Sequence, residues 1–167
     1  ADGTWTLKAD NVRDFAVIAG NGFEKLSGKA GNITVNSWYY SGSERDKKQG
    51  EVSLKAAIDA VNAFCDAWGE YPYDTLDVVQ TPYNAGGMEY PGLVRIAEMY
   101  ADLIEAEGDE SLRLDVAHEV AHEWFYAVVG NDQYREAWLD ESFAVYGEFV
   151  YQLYTCLLYT SPSPRDS

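Results

Sequence analysis

The sequence predicts an α+β fold, and three observations carry the prediction. Short extended runs fill the first 40 residues, two further apolar runs flank a glycine-rich loop, and the remaining long segments repeat their apolar residues at helical spacing. Taken in order, TWTLKA, DFAVIA and NITVNSWYY read as strands separated by the Gly/Asn turns AGNGF and GKAGN. The polar stretch SGSERDKKQG then leads into EVSLKAAIDAVNAFCDAW, where Leu54, Ile58, Val61 and Cys65 mark one face of an amphipathic helix and make Cys65 a core residue. TLDVVQTP and LVRIAEMY are strands on either side of YNAGGMEYPG, whose glycines and proline predict an irregular loop. Two more helices follow, from about Glu110 to Val129 and from about Glu136 to Tyr154, with NDQY as the turn between them.

Composition narrows the function classes. A chain of 167 residues with 47% apolar and 14% aromatic residues can bury a domain-sized core, which excludes wholesale disorder. Asp and Glu number 28 against 12 Lys and Arg, a net charge of −16, and no run is basic enough to neutralise a phosphate backbone. Nucleic acid is therefore excluded as a partner. No stretch of eighteen apolar residues occurs, so no membrane segment is expected, and no signal peptide is visible. Cys65 and Cys156 are too few for a disulfide framework or a cysteine zinc site. The last dozen residues, CLLYTSPSPRDS, break from the acidic helical pattern and resemble translated sequencing adapter, so residues 156–167 are set aside as a non-native tail and the chain is expected to be a gene fragment.

Residues 118 to 122 read HEVAH inside a helical pattern. His118 and His122 then lie about 40° apart around the axis and about 6 Å along it, close enough for both imidazoles to meet one metal ion. Glu119 can stand beside that metal as the general base for a bound water. Zinc suits two neutral imidazoles and requires a third protein ligand with one position left open. Glu141 in WLDESFA supplies a carboxylate, with eighteen residues between it and His122, on a segment that NDQY can fold back against the first helix. Two histidines on a helix face can also simply pack, but the Glu in second position and the third ligand favour one bound zinc. Glu123 and Asp140 read as solvated or supporting acids, and Asp115 as a charge near a helix N-terminus. Trp124, Phe125, Trp138, Phe143, Tyr146 and Phe149 read as core before substrate pocket.

HExxH, eighteen residues and Glu, together with GGMEYPG upstream, resemble the zinc aminopeptidases of the aminopeptidase N type, the M1 family of gluzincins. WLDESFA is similar to the WLNEGFA pattern of that family, and Gly86, Gly87, Met88, Glu89 and Tyr90 stand in the place of its GAMEN motif, with Gly for Ala at 87 and Tyr for Asn at 90. ADNVRDFAVIAG also matches segments that precede the family's catalytic domain. The resemblance implies a partial thermolysin-like zincin catalytic domain over residues 41–155, preceded by the remnant of an all-β N-terminal domain over residues 1–40. It implies zinc held by His118, His122 and Glu141, with Glu119 as general base. Gly86, Gly87, Met88 and Glu89 would bind substrate, Glu89 holding the amino end of peptides with a free N-terminus. The family's oxyanion-stabilising tyrosine lies later than this chain extends, so the 167-residue chain is expected to be inactive. A bifunctional epoxide hydrolase and aminopeptidase, a zinc endopeptidase and a non-catalytic binding module on the same scaffold are the alternatives.

Overall fold

The structure, a computed structural model, describes residues 3–160, with side chains described as far as Cys156. The tail expected from residue 156 onward lies largely outside the described residues. Among the described residues the fold is mixed α/β, with nine elements: β1 (Phe23–Ala30), β2 (Ile33–Tyr40), α1 (Glu44–Trp68), β3 (Thr75–Thr81), β4 (Gly87–Tyr90), β5 (Leu93–Ala97), α2 (Tyr100–Glu107), α3 (Glu110–Ala121) and α4 (Ala137–Thr160).

One five-stranded sheet runs in the order β1-β2-β3-β5-β4, parallel through β2, β3 and β5 and antiparallel at both edges. β2 is hydrogen-bonded to β3, with Trp38 opposite Val79, so the sheet is continuous across the division expected at residue 40. β1 and β2 join through a two-residue turn in which Gly31 takes φ 57°, a left-handed conformation that suits glycine at the first position of a hairpin turn. The runs TWTLKA and DFAVIA are not strands. Trp5, Leu7, Phe15 and Val17 are exposed, and without a neighbouring strand to complete its hydrogen bonds an extended segment stays irregular. Arg13 ties this segment down instead, donating to the carbonyls of Tyr126 (2.8 Å) and Asn131 (3.2 Å).

α1 begins at Glu44 rather than in EVSLK, because the Ser43 side chain caps it by accepting from the Arg45 backbone N–H at 3.2 Å and two acids occupy its first turn. Its alanine-rich face, with Val52, Ala56, Ala60, Val61 and Phe64, is buried against the sheet and against α3 and α4. Cys65 packs against this core, as the spacing predicts. The expected irregular loop holds a short strand instead. Pro91 and Gly92 (φ 73°) make a tight turn that folds β4 back onto β5, pairing Glu89 with Val94, so glycine and proline here start and end a strand. α2 has no counterpart in the sequence reading, and α3 stops at Ala121 with His122 as its cap, well before Val129. α3 lies along β4 and β5, at one edge of the sheet, while α4 packs on α1 and α3.

Candidate metal centre

The face of α3 that packs on the core is built from Leu112, Val116, Ala117, Val120 and Ala121, all buried. Its adjacent face carries Asp115, His118, Glu119 and His122 toward β4 and α4, as residues three and four apart must. β4 runs alongside. A Cβ added at Gly86 would sit 2.2 Å from an Asp115 carboxylate oxygen, and one at Gly87 would sit 2.4 Å from Glu119 Oε1. The two glycines therefore let the strand lie directly on the helix. Strand alternation turns Glu89 to the same side as Val94, toward α3, while the Met88 sulfur lies on the other side, 3.9 Å from the Tyr83 hydroxyl.

α4 supplies the remaining wall. Glu141 Oε2 stands 3.1 Å from His118 Nε2 and 3.8 Å from His122 Nε2, and the three ligand atoms lie within 4.8 Å of one another. Tetrahedral zinc with bonds of about 2.0–2.2 Å separates its ligand atoms by roughly 3.3–3.5 Å, so this triad fits the ion. The imidazoles are also oriented for it. His118 Nδ1 meets Glu148 Oε1 at 2.8 Å and His122 Nδ1 meets the Phe125 carbonyl at 3.1 Å, so an Nδ1–H donated to each acceptor leaves the Nε2 lone pair facing Glu141. Glu89, Glu119 and His122 form a second triad with ligand atoms equally close. Ala85, Gly86, Gly87, Met88, Glu89, Asp115, His118, Glu119, His122, Glu141 and Glu148 all border one cleft of about 500 Å³, so every site residue expected from the sequence opens on it.

The electrostatics are one-sided. Among the described residues, five carboxylates line the cleft and no Lys or Arg does. Burial pushes the Glu119 carboxyl up to about 9, reinforced by the nearby charges of Glu89, Asp115 and Glu141, and its buried Oε2 has no hydrogen-bond partner. Glu123 and Asp140 are buried, not solvated. Glu123 accepts the Gly92 N–H at 2.9 Å and is raised to about 8 by its burial, while Asp140 accepts from Gln133 and leaves Oδ1 unpartnered. The same Gln133 amide donates to Glu89 at 3.1 Å.

The chain matches the Peptidase family M1 domain over residues 53–156. It belongs to peptidase family M1. Among curated relatives it is similar to Aminopeptidase M1-B of Oryza sativa subsp. japonica, 34% identical over 108 residues that make up 61% of this chain and 12% of the relative. It also resembles Aminopeptidase 2 of Candida albicans, 37% identical over 58% of this chain and 11% of the relative. Aminopeptidase N of Oryctolagus cuniculus is 31% identical over 71% of this chain and 13% of its own length. The matched part of this M1 chain thus spans about an eighth of these relatives.

One residue that lines the cleft, Glu148, and two that hydrogen-bond to its acids, Gln133 and Tyr100, were not singled out from the sequence. Glu148 lies seven residues after Glu141, two turns along the same face of α4, and that spacing is a usable signal. Gln133 and Tyr100 carry none, since one sits in the connection before α4 and the other at the start of the unforeseen α2. Of the six aromatics read as core, Trp124 is buried, Phe125 is partly buried, and Trp138, Phe143, Tyr146 and Phe149 are exposed. Of those four, Phe143 stacks on Phe125 with ring centroids 4.4 Å apart.

Proposed function

We propose that this chain contributes the metal centre of a zinc-dependent aminopeptidase, from the N-terminal half of a thermolysin-like catalytic domain. His118, His122 and Glu141 would hold one zinc ion. Bound there, zinc supplies Lewis-acid polarisation of a carbonyl and lowers the pKa of a water. Glu119, one residue along α3 from His118 and pressed against Gly87, takes the proton of the attacking water and returns it to the leaving amine. Glu89 receives the substrate's amino end, where a carboxylate meeting an ammonium makes a charge-assisted hydrogen bond of about 1.5–3 kcal/mol. The Gln133 amide, donating to Glu89 Oε1, holds that carboxylate in position. Gly86 and Gly87 keep the strand clear of side chains so that a peptide backbone can approach.

The observation that carries this reading is the buried Glu89 on the strand beside the metal triad, because an endopeptidase has no use for an acid that stops the chain at its first residue. The retained set of His118, Glu119, His122 and Glu141 argues against a non-catalytic module, which has no need of both a ligand triad and a general base. Elemental analysis after dialysis against trace zinc is expected to find about one zinc per chain, lost in His118→Ala. In a full-length protein carrying this segment, Glu89→Ala is expected to abolish the preference for free over acetylated peptides. A zinc-free folded chain, or equal cleavage of both peptides by the parent, would overturn the proposal.

A further inference from the structure

β4 and α3 run side by side, and their contacts act as a ruler. Gly86 lies on Asp115, Gly87 lies on Glu119, Glu89 shares a possible metal group with His122, and the Gly92 N–H reaches Glu123. Moving from Glu89 toward Gly86 therefore means moving from His122 back to Asp115, seven residues and about 10 Å along the helix. An extended peptide advances about 3.3 Å per residue. A substrate whose amino end sits at Glu89 and whose chain follows β4 toward Gly86 thus draws level with Asp115 near its third residue, and a long second side chain also reaches it, on the leaving-group side of the metal.

Asp115 faces this part of the cleft, backed by the Tyr100 hydroxyl, which donates to one carboxylate oxygen. Burial holds the Tyr100 phenol well above its ordinary pKa, with the Asp115 contact adding to it, so Tyr100 stays a donor at every working pH. Among the described residues, no Lys or Arg borders the cleft to neutralise Asp115. The charge of Asp115 is not needed for the metal triad, whose Nδ1 atoms already have Glu148 and the Phe125 carbonyl as partners. We infer that Asp115 determines specificity downstream of the cleaved bond, selecting peptides with a basic residue at the second or third position. This rests on the aminopeptidase reading, because Glu89 sets the register of the peptide along β4.

Hydrolysis-resistant phosphinic pseudopeptides with a free amine, carrying lysine or its neutral isostere norleucine at the second position in one pair and at the third in another, test the inference by calorimetric titration of the zinc-loaded full-length protein, the ratio being read from whichever pair is larger. The lysine form is expected to bind about tenfold more tightly, the lower end of what a charge-assisted hydrogen bond gives. Asp115→Asn is expected to bring the two within about twofold of each other. Tyr100→Phe, which keeps the carboxylate and removes only its hydroxyl support, is expected to retain the lysine preference. A flat lysine-to-norleucine ratio in the parent, an unchanged ratio in Asp115→Asn, or its loss in Tyr100→Phe overturns the role of Asp115. An acetylated lysine analogue that binds as well as the free amine removes the register set by Glu89, and this assignment with it. A flat ratio with the free amine still preferred leaves the aminopeptidase reading standing and removes Asp115 alone.

Discussion

Between α1 and the sheet, Gln80 donates to Asp46 (2.6 Å) and Gln49 (2.8 Å) and accepts from the Tyr40 N–H (2.9 Å), while Gln49 donates to the Ala97 carbonyl (2.9 Å). Between β4, α3 and α4, by contrast, Glu119 and Asp140 each bury a carboxylate oxygen with no partner. Both clusters are polar and both are buried. They differ in the valence of their side chains: an amide carries donors and acceptors, so two amides can satisfy one another, whereas ionised carboxylates only accept. A cluster of acids cannot close on itself, and only a proton, a metal or a cationic ligand completes it. The first cluster reads as scaffold and the second as a site.

The largest way to break this contrast is Glu119→Gln, which removes the general base while preserving its volume. Turnover in a full-length protein carrying this segment should fall by about 10² to 10⁴, and steady-state kinetics within tenfold of the parent would remove Glu119 from the mechanism. The next effect is on metal affinity. Glu148→Gln takes the carboxylate from His118 Nδ1, and competition with a fluorescent chelator should show zinc binding weakened by about 10- to 100-fold. In the closed cluster, Gln49→Leu strands the partners of a buried amide. Urea denaturation should show a loss of about 1–3 kcal/mol, with zinc stoichiometry unchanged, and a loss of zinc there would mean that the two clusters are not separate.

The finest test is pH. The carboxyls of Glu119 and Glu123 are raised above the ordinary 4.5, to about 9 and about 8, chiefly by burial. The folded metal-free chain thus holds protons that the unfolded chain has released. Stability from these groups is full below about pH 4.5 and is lost as pH rises through 8 and 9, with a limiting slope of about 1.4 kcal/mol per pH unit for each group. Urea midpoints measured from pH 5 to 9 without metal should decline, and the decline should lessen in Glu119→Gln. A flat profile would mean that these acids are better solvated than their burial indicates.

Much of this was legible in the chain. HEVAH carries its own geometry, because four residues along a helix return to one face whatever surrounds them. The apolar face of α1 and the strands β3 and β5 were likewise readable from period alone. β1 and β4 were not. Lys25, Ser27, Gly28 and Lys29 are weak strand formers, and the four residues of β4 follow two glycines, so only pairing with β2 and β5 makes them strands. TWTLKA and DFAVIA failed for the converse reason: they have strand-forming side chains and no strand to pair with.

The sequence by itself determined which side chains lie on one turn of α3 and which acid follows at a distance that α4 can return, since helical periodicity is a local property of the backbone. Tertiary structure alone decided that Glu89 faces α3, that Glu148 and the Phe125 carbonyl orient the two imidazoles, and that Glu123 and Asp140 are buried. Burial and the company of other charges depend on which surfaces meet, and no spacing along the chain encodes that directly.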